Sequence, residues 1–159
     1  MKRLARNLGS FILPITVLLI VPLLIEPDRT VENSLTFLVG LTVILVGLSI
    51  LIATVAVFIT VGNGTLAPWS PTTKLVTKGL YGYVRSPMII GVLIVLIGES
   101  ISMLSSHIFI WAILFFVINN IWFSVYEEPN LEKRFGNEYR EYKKIVPKWI
   151  PRRRPIKSV

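Results

Sequence analysis

The sequence predicts an all-α membrane protein with four transmembrane helices and a C-terminal amphipathic helix. Of the 159 residues, 53% are hydrophobic and only 16% are charged, against about 25% charged in an ordinary soluble domain. The mean hydropathy is +0.67. The apolar residues gather into four stretches, at about 10–25, 34–61, 87–105 and 107–126. We therefore expect a single membrane domain over 1–159, with a loop at 62–86 and a tail at 127–159.

The first two stretches differ in length and in the residues that interrupt them. The first follows basic residues, as a signal peptide would, but no small-residue cleavage site follows it. We therefore predict a retained helix, with Pro14 and Pro22 as bends. The second would be about 42 Å long as a helix, beyond the roughly 30 Å hydrocarbon core of a bilayer. Gly40 and Gly47 share one of its faces, where small residues let a neighbouring helix approach.

The third and fourth stretches are separated only by a short turn at Ser105 and Ser106, which predicts an antiparallel helical hairpin. Every Lys and Arg except Arg29 lies in the N-terminal segment, the 62–86 loop or the tail. Because basic residues concentrate on the cytoplasmic side of membrane proteins, we expect both termini and the loop in the cytoplasm.

The tail has apolar and aromatic residues at near-helical spacing. This spacing predicts one amphipathic helix that lies against the membrane surface or caps the bundle and ends at Pro147 and Pro151. The residues of its apolar face are Leu131, Phe135, Tyr139, Tyr142 and Val146.

Charge and composition exclude several classes of partner. The net charge of +8 would suit nucleic acid, but the basic residues flank apolar segments, as anchors beside anionic lipid headgroups do. We therefore expect membrane lipids as partners and no nucleic acid. The chain has no cysteine, and His107 is its one histidine, so we expect no metal site.

The first candidate for chemistry is Arg85-Ser86-Pro87, where the loop enters the third helix. Ser86 is a favourable N-cap and Pro87 suits the first helical turn, so the simplest interpretation is a helix start with Arg85 as an interfacial anchor. The alternative is an anion site, made by free N–H groups, the positive helix end and Arg85.

The second candidate is Glu127-Glu128, at the predicted C-terminal end of the fourth helix. Adjacent acids are unfavourable there because the helix dipole prefers cations, which points to a role elsewhere; the alternative is two solvated acids paired with Lys133 or Arg134. Asn120 and Ser124 extend a polar stripe from these acids into the helix. The stripe faces the bundle interior or a wet cavity, as helix–helix contact or as ligand contact.

Glu99 is the one ionisable residue deep in a predicted helix. An acid at that depth is a functional candidate. It lies roughly 18 Å along the helix from Pro87 and far from the other polar groups, so a structural hydrogen bond is the preferred interpretation.

Two blocks of the sequence resemble one family. Residues 79–91 read G-L-Y-G-Y-V-R-S-P-M-I-I-G, which resembles the G-x-Y-x-Y-x-R-(H/N)-P-M-Y-x-G signature of integral-membrane methyltransferases. Residues 126–151 resemble the family's C-terminal block, Y-E-E-P-x-L-x-x-x-F-G-x-x-Y-x-x-Y-x-x-x-V-P-x-x-I-P. These are the isoprenylcysteine carboxyl methyltransferases and the related phospholipid N-methyltransferases. The resemblance covers roughly residues 62–152, and its two blocks flank the predicted hairpin.

The resemblance implies a membrane methyltransferase that binds S-adenosylmethionine at the cytoplasmic end of the hairpin. The implied acceptor is lipid-like or amphipathic, with a carboxylate, amine or thiol, and the implied location is the prokaryotic cell membrane. Arg85 and Glu128 are the implied catalytic residues, and Tyr81 is a further aromatic candidate. The implied cofactor-binding residues are Tyr83, Ser86, Pro87, Met88, Gly91, Glu127, Glu128, Tyr139 and Tyr142.

Two positions depart from the signature. Ser86 stands where the family has His or Asn, and Ile89 stands where it has Tyr. They support a second hypothesis, a catalytically silent relative that acts as a lipid-binding or structural subunit. A third is a reductase, since membrane sterol reductases share a similar C-terminal architecture, but no segment is available for a nicotinamide site. The acceptor and the oligomeric state stay open; the second helix and the loop around Trp69 are predicted to line the acceptor's entry.

Overall fold

The structure is a computed structural model that describes residues 12–27, 33–62 and 74–156, and these residues form helices and connecting segments without a strand. The first helix, α1, is α-helical over Ile12–Ile15 and Val21–Ile25, with a π-helical turn over Thr16–Ile20 between them. The expectations for Trp69, Arg29 and the basic residues before position 7 lie outside the described residues.

Within the described ranges, five further helices follow α1. Helices α2 and α3 occupy Ser34–Gly62 and Pro87–Met103, and a 3-10 turn at Gly79–Gly82 precedes α3. Helix α4 (Ser106–Trp122) continues through a π-helical turn (Phe123–Glu127) into α5 (Glu128–Phe135), and α6 (Asn137–Ile145) comes last. The four predicted apolar stretches thus correspond to α1, α2, α3 and α4.

Helix α1 is attached to α4 at the point where Pro22 disrupts its hydrogen bonding. The N–H of Val21 donates to the carbonyl of Thr16, five residues back. Pro22 has no N–H, so the carbonyl of Val17 loses the donors four and five residues ahead of it. The indole N–H of Trp111 in α4 donates to that carbonyl at 3.2 Å. A side chain of the neighbouring helix thereby satisfies a backbone group that Pro22 frees.

Helices α2 and α3 pack with their backbones in direct contact at glycines. A Cβ on Gly40 would lie 2.5 Å from the backbone nitrogen of Ser102 and 2.6 Å from the carbonyl oxygen of Gly98. One on Gly47 would lie 2.9 Å from the carbonyl oxygen of Gly91. The predicted role of Gly40 and Gly47 as a helix-contact face is confirmed.

The pattern of burial differs from that of a typical soluble protein. Large apolar side chains are exposed, among them Ile52 at 68% and Val125 at 73%, whereas Thr54, Glu99 and Ser102 are buried. The segments Ser34–Val61 and Ser106–Phe135 are long and apolar enough to cross a membrane, and only 11% of the apolar window of each is buried. Exposed apolar surface on segments of this length is typical of helices that face lipid.

The α3–α4 turn is closed by Ser105. Leu104 ends α3 in the left-handed conformation, with φ 49°. The hydroxyl of Ser105 accepts from the N–H of Ile108 at 3.3 Å and donates to Oε2 of Glu26 at 2.6 Å. The predicted hairpin is confirmed, with α3 ending at Met103 rather than at Ser105.

The prediction of a single tail helix starting at Glu127 is wrong. The chain stays helical from α4 through the π-helical turn and Pro129 to Phe135, and it breaks at Gly136, which has φ 54° and ψ −125°. Glu127 and Glu128 therefore lie within a continuous helical segment, and the argument from an unfavourable helix C-terminus does not apply. The predicted apolar face survives as one cluster across the break, formed by Leu131, Phe135, Tyr139, Tyr142 and Val146 together with Leu75 and Ile156.

We expect Gly40→Ala to lower the free energy of unfolding by about 1–3 kcal/mol, because the added methyl group meets the α3 backbone and forces the helices apart. SDS titration followed by circular dichroism measures this. Ala53→Val on the exposed face of α2 is the control and should change little. Equal effects of the two substitutions would contradict the glycine contact.

Candidate functional site

The loop that leads into α3 is covered by the C-terminal segment through backbone hydrogen bonds. The N–H of Arg85 donates to the carbonyl of Pro147 at 2.9 Å, and the N–H of Arg152 donates to the carbonyl of Tyr83 at 3.0 Å. The N–H of Ile156 donates to the carbonyl of Gly82 at 3.2 Å. We call residues 147–156 the strap. These bonds fix the loop against this part of the tail.

The two clusters singled out in the sequence meet in a buried ion pair. Nη1 of Arg85 lies 2.8 Å from Oε1 of Glu128, and the two side chains are 10% and 11% exposed. The α3–α4 hairpin explains this contact: its turn lies at one end, so residues 43 positions apart meet at the other. The predicted proximity of Arg85 and Glu128 is confirmed; their catalytic roles remain predictions.

The second oxygen of Glu128 is also engaged. Nζ of Lys143 lies 2.7 Å from Oε2 of Glu128 and 2.9 Å from Oε1 of Glu132. Nη1 of Arg85 is 3.5 Å from the hydroxyl of Tyr139, a long and weak contact. Glu128 is therefore held between two cations, one from the loop and one from α6.

Two of the predicted cofactor-binding tyrosines are part of the packing below this ion pair. Tyr139 and Tyr142 are 1% and 3% exposed, with ring centroids 6.1 Å apart. The Tyr142 hydroxyl donates to the carbonyl of Tyr81 at 2.8 Å. Burial raises the pKa of Tyr142, and burial with the nearby Glu128 charge raises that of Tyr139. Both phenols stay neutral at physiological pH, and the half-buried Tyr83 is the accessible aromatic of the three.

Ser86 occupies the N-cap position of α3, but its hydroxyl makes no capping hydrogen bond, which corrects the expectation of a capping hydroxyl. Its Oγ and the adjacent Nε of Arg85 are buried and have no hydrogen-bond partner among the described residues. The backbone explains the missing cap, because φ −123° and ψ 53° at Ser86 depart from the usual extended N-cap conformation. Buried polar atoms without a partner are costly in the protein alone, and a bound polar group would satisfy them.

The remaining predicted cofactor-binding residues lie at or beside the start of α3. Pro87 is buried and Met88 is half-buried in its first turn. Glu127 is half-buried and within electrostatic reach of Tyr81 and Arg134. Gly91 instead faces α2, where a Cβ would lie 3.1 Å from the backbone nitrogen of Leu51. Close packing of α2 and α3 accounts for this glycine.

Sequence reasoning missed the partner of the polar stripe on α4. The side-chain oxygen of Asn120 accepts from Nζ of Lys148 at 2.9 Å and from the indole N–H of Trp149 at 3.0 Å. The stripe thus binds the strap and does not face the bundle interior. The dipeptide Lys148-Trp149 between Pro147 and Pro151 was a signal of a docked segment. Within the described ranges, no group of three or more His, Cys, Asp or Glu could hold a metal ion.

The two sequence blocks that this ion pair joins both overlap a known family. A family model for phospholipid methyltransferases matches residues 35–138, a span that runs from the start of α2 into α6 and includes Arg85 and Glu128. The chain belongs to this family of methyltransferases. The match covers the whole of the α3–α4 hairpin.

The chain is also similar to a curated protein, the protein-S-isoprenylcysteine O-methyltransferase of Schizosaccharomyces pombe. It is 36% identical over 83 residues, which cover 48% of this chain and 33% of the relative. The similarity therefore spans about a third of the relative's length. No solved structure matches the chain at a significant level.

We expect Glu128→Ala to lower the free energy of unfolding by about 3–5 kcal/mol, because Arg85 would remain buried without its counter-ion. The exposed pair Lys144–Glu141, with side chains 71% and 56% exposed, supplies the control. Glu141→Ala should cost less than about 1 kcal/mol. In a double-mutant cycle, Arg85→Ala in the Glu128→Ala background should cost far less than alone; additive losses would show that the pair is not coupled.

Proposed function

We propose that the protein is an S-adenosylmethionine-dependent methyltransferase of the membrane that methylates a lipid-like or amphipathic acceptor at the cytoplasmic face. The observation that carries the proposal is the Arg85–Glu128 contact at 2.8 Å, which joins the two sequence blocks at the start of α3. Membership of the phospholipid methyltransferase family and the isoprenylcysteine O-methyltransferase name of the relative support the same chemistry.

The residues at the start of α3 fit the polar groups of this cofactor. Its carboxylate needs donors, and Ser86 Oγ and Arg85 Nε are buried and unpartnered within the described part of the chain. The N–H of Met88 adds a third donor, because the first N–H groups of a helix have no partner within it. Glu127 is the acceptor for the ammonium or the ribose hydroxyls. Tyr83 is the aromatic that would face adenine or the sulfonium.

When bound, S-adenosylmethionine would supply a methyl group carried on a positively charged sulfur. The acceptor's lone pair would form the new bond to this methyl group, and the electron pair of the broken sulfur–methyl bond would stay on sulfur. The chain's contribution is to orient the reactants and to exclude water. The Arg85–Glu128–Lys143 network holds the loop, α5 and α6 in fixed relation for this purpose. Both oxygens of Glu128 are engaged by cations, so Glu128 acts by positioning the loop and the tail helices. An amine acceptor must lose a proton before its lone pair can attack. A carboxylate or thiolate acceptor needs no base.

The membrane arrangement we propose has four spans, with α1 and α3 crossing beside the two long helices. Helix α3 has 17 residues and so rises about 26 Å, close to the roughly 30 Å hydrocarbon core. Its Arg85 end carries the site, and its far end carries the Glu26–Ser105 contact. The basic residues of the tail support a cytoplasmic site. The proposed location is a prokaryotic cell membrane.

The rival function is a catalytically silent relative with a lipid-binding or structural role. The observation in its favour is that Arg85 and Glu128 neutralise each other, which a purely structural pair would also do. The Ile89 departure from the family signature adds to it. The two functions differ in whether the protein binds S-adenosylmethionine, which calorimetry measures directly.

We expect Glu127→Gln to weaken S-adenosylmethionine binding about ten- to a hundredfold, the loss for a hydrogen bond to a charged group. Isothermal titration calorimetry on the detergent-purified protein measures it. Glu127 makes no ion pair within 4.0 Å in the described ranges, so the unfolding midpoint should stay unchanged. Glu138→Gln, on the exposed surface of α6, is the control. An unaltered Kd for Glu127→Gln would rule out this site for the cofactor.

Ser86→Ala separates stability from binding. Because the buried hydroxyl of Ser86 has no partner in the described chain, its removal should leave the ligand-free protein equally or slightly more stable, by up to about 1 kcal/mol. The same change should weaken S-adenosylmethionine binding several-fold, since a donor to the carboxylate is lost. Thermal unfolding and calorimetry on one preparation give both numbers. Full affinity together with raised stability would show that the Ser86 hydroxyl does not contact the cofactor.

A further inference from the structure

Lys148 of the strap is a cation held by neutral groups. Its Nζ donates to the backbone oxygen of Asn120 at 3.1 Å, to the side-chain oxygen of Asn120 at 2.9 Å and to Oγ of Ser124 at 2.7 Å. It also lies 5.0 Å from the ring centroid of Phe123 and 5.2 Å from that of Trp149. These contacts orient the ammonium but leave its charge unneutralised, because amide, hydroxyl and ring partners carry no net charge.

No carboxylate oxygen in the described ranges lies within 4.0 Å of this ammonium. The charged groups that act on it from farther away are Glu128, Arg85 and Lys143, one anion and two cations. Burial lowers the pKa of Lys148; Glu128 opposes that shift, and the two cations add to it. Both oxygens of Glu128 already engage Arg85 and Lys143, so this carboxylate does not pair with Lys148. A partly buried cation without a counter-ion calls for an anionic partner.

The position of Lys148 shows where that anion would come from. Ser124, its nearest contact, is exposed. Ile121 and Val117 lie three and seven residues before Ser124, on the same face of α4, and are 58% and 45% exposed. An apolar strip in the membrane-crossing segment Ser106–Phe135 thus leads directly to the ammonium. A molecule with acyl chains and an anionic headgroup matches both parts.

We propose that Lys148 and Ser124 bind the phosphate of an anionic membrane phospholipid whose acyl chain lies along Ile121 and Val117. The phosphate neutralises the ammonium from the exposed Ser124 side while Asn120 and the two rings hold the lysine in place. The binding site adjoins the strap, so the lipid binds beside the loop that carries Arg85. This inference concerns binding alone and stands independently of methyl transfer.

The experiment uses the full chain in phosphatidylcholine vesicles that contain brominated phosphatidylglycerol, with the reciprocal composition as reference. Bromine quenches the fluorescence of nearby tryptophans. The difference in quenching between the unaltered protein and Trp149→Phe is the contribution of Trp149, and it reports the lipid next to Lys148. We expect phosphatidylglycerol to be preferred about fivefold at this tryptophan, the equivalent of about 1 kcal/mol for one Lys near a membrane surface. Lys148→Gln should remove the preference, and Lys148→Arg should keep it.

Lys144→Gln is the matched control, because it removes the same charge from the same tail at a side chain that is 71% exposed and paired with Glu141. Equal losses in Lys144→Gln and Lys148→Gln would reduce the effect to general surface charge and overturn the proposal. Displacement of the preference by millimolar glycerol 3-phosphate would identify a soluble phosphate ligand and overturn it too. A persistent preference in a protein that binds no S-adenosylmethionine would uphold the lipid site while contradicting the proposed function.

Discussion

The buried ion pair between Arg85 and Glu128 is the interaction on which the rest of the candidate site depends. Each side chain is about one-tenth exposed, and neither charge would be tolerated there alone. The pair joins the loop before α3 to the helix after α4, and Lys143 extends the connection to α6. Without it, the described part of the loop would contact the tail through the strap and through the packing of the tyrosines.

The position of this ion pair is set by contacts elsewhere in the bundle. Glycines hold α2 and α3 at backbone distance, and Ser105 closes the turn between α3 and α4. In a bilayer, where apolar side chains gain little by leaving lipid, close backbone approach and interhelical hydrogen bonds hold helices together. The hydroxyl of Ser105 and the indole of Trp111 supply such bonds at the two attachments of α1.

Much of the bundle could be predicted from sequence, because long apolar stretches indicate membrane helices and small residues indicate where such helices contact one another. The long second helix, its glycine face and the α3–α4 turn follow from local composition, and the meeting of Arg85 with Glu128 follows from the turn. The tail could not be predicted in the same way. Apolar spacing near 3.6 residues continues through Gly136, and the break there depends on a backbone angle that the spacing does not register.

Two parts of the candidate site depend on tertiary contacts that no local pattern encodes. Ser86 has the residue type of an N-cap, yet its backbone departs from the usual N-cap conformation and its hydroxyl makes no capping hydrogen bond. The spacing of Asn120 and Ser124 is typical of a polar stripe that faces the interior of a helix bundle. In the structure their partner is Lys148, which lies 24 or more positions farther along the chain. In both cases a polar group had several available partners, and only the folded chain selects among them.

The strap contacts the loop through main-chain atoms, with N–H donors at Arg85, Arg152 and Ile156. A contact of this kind is indifferent to side-chain identity except for proline at a donor position. The outer side chains of the strap, such as Ile150 at 80% exposure, are free to vary while the closure they belong to is preserved. Substitutions on this outer face can thus change the surface beside the start of α3 while the backbone contacts, and the bundle beneath them, stay as they are.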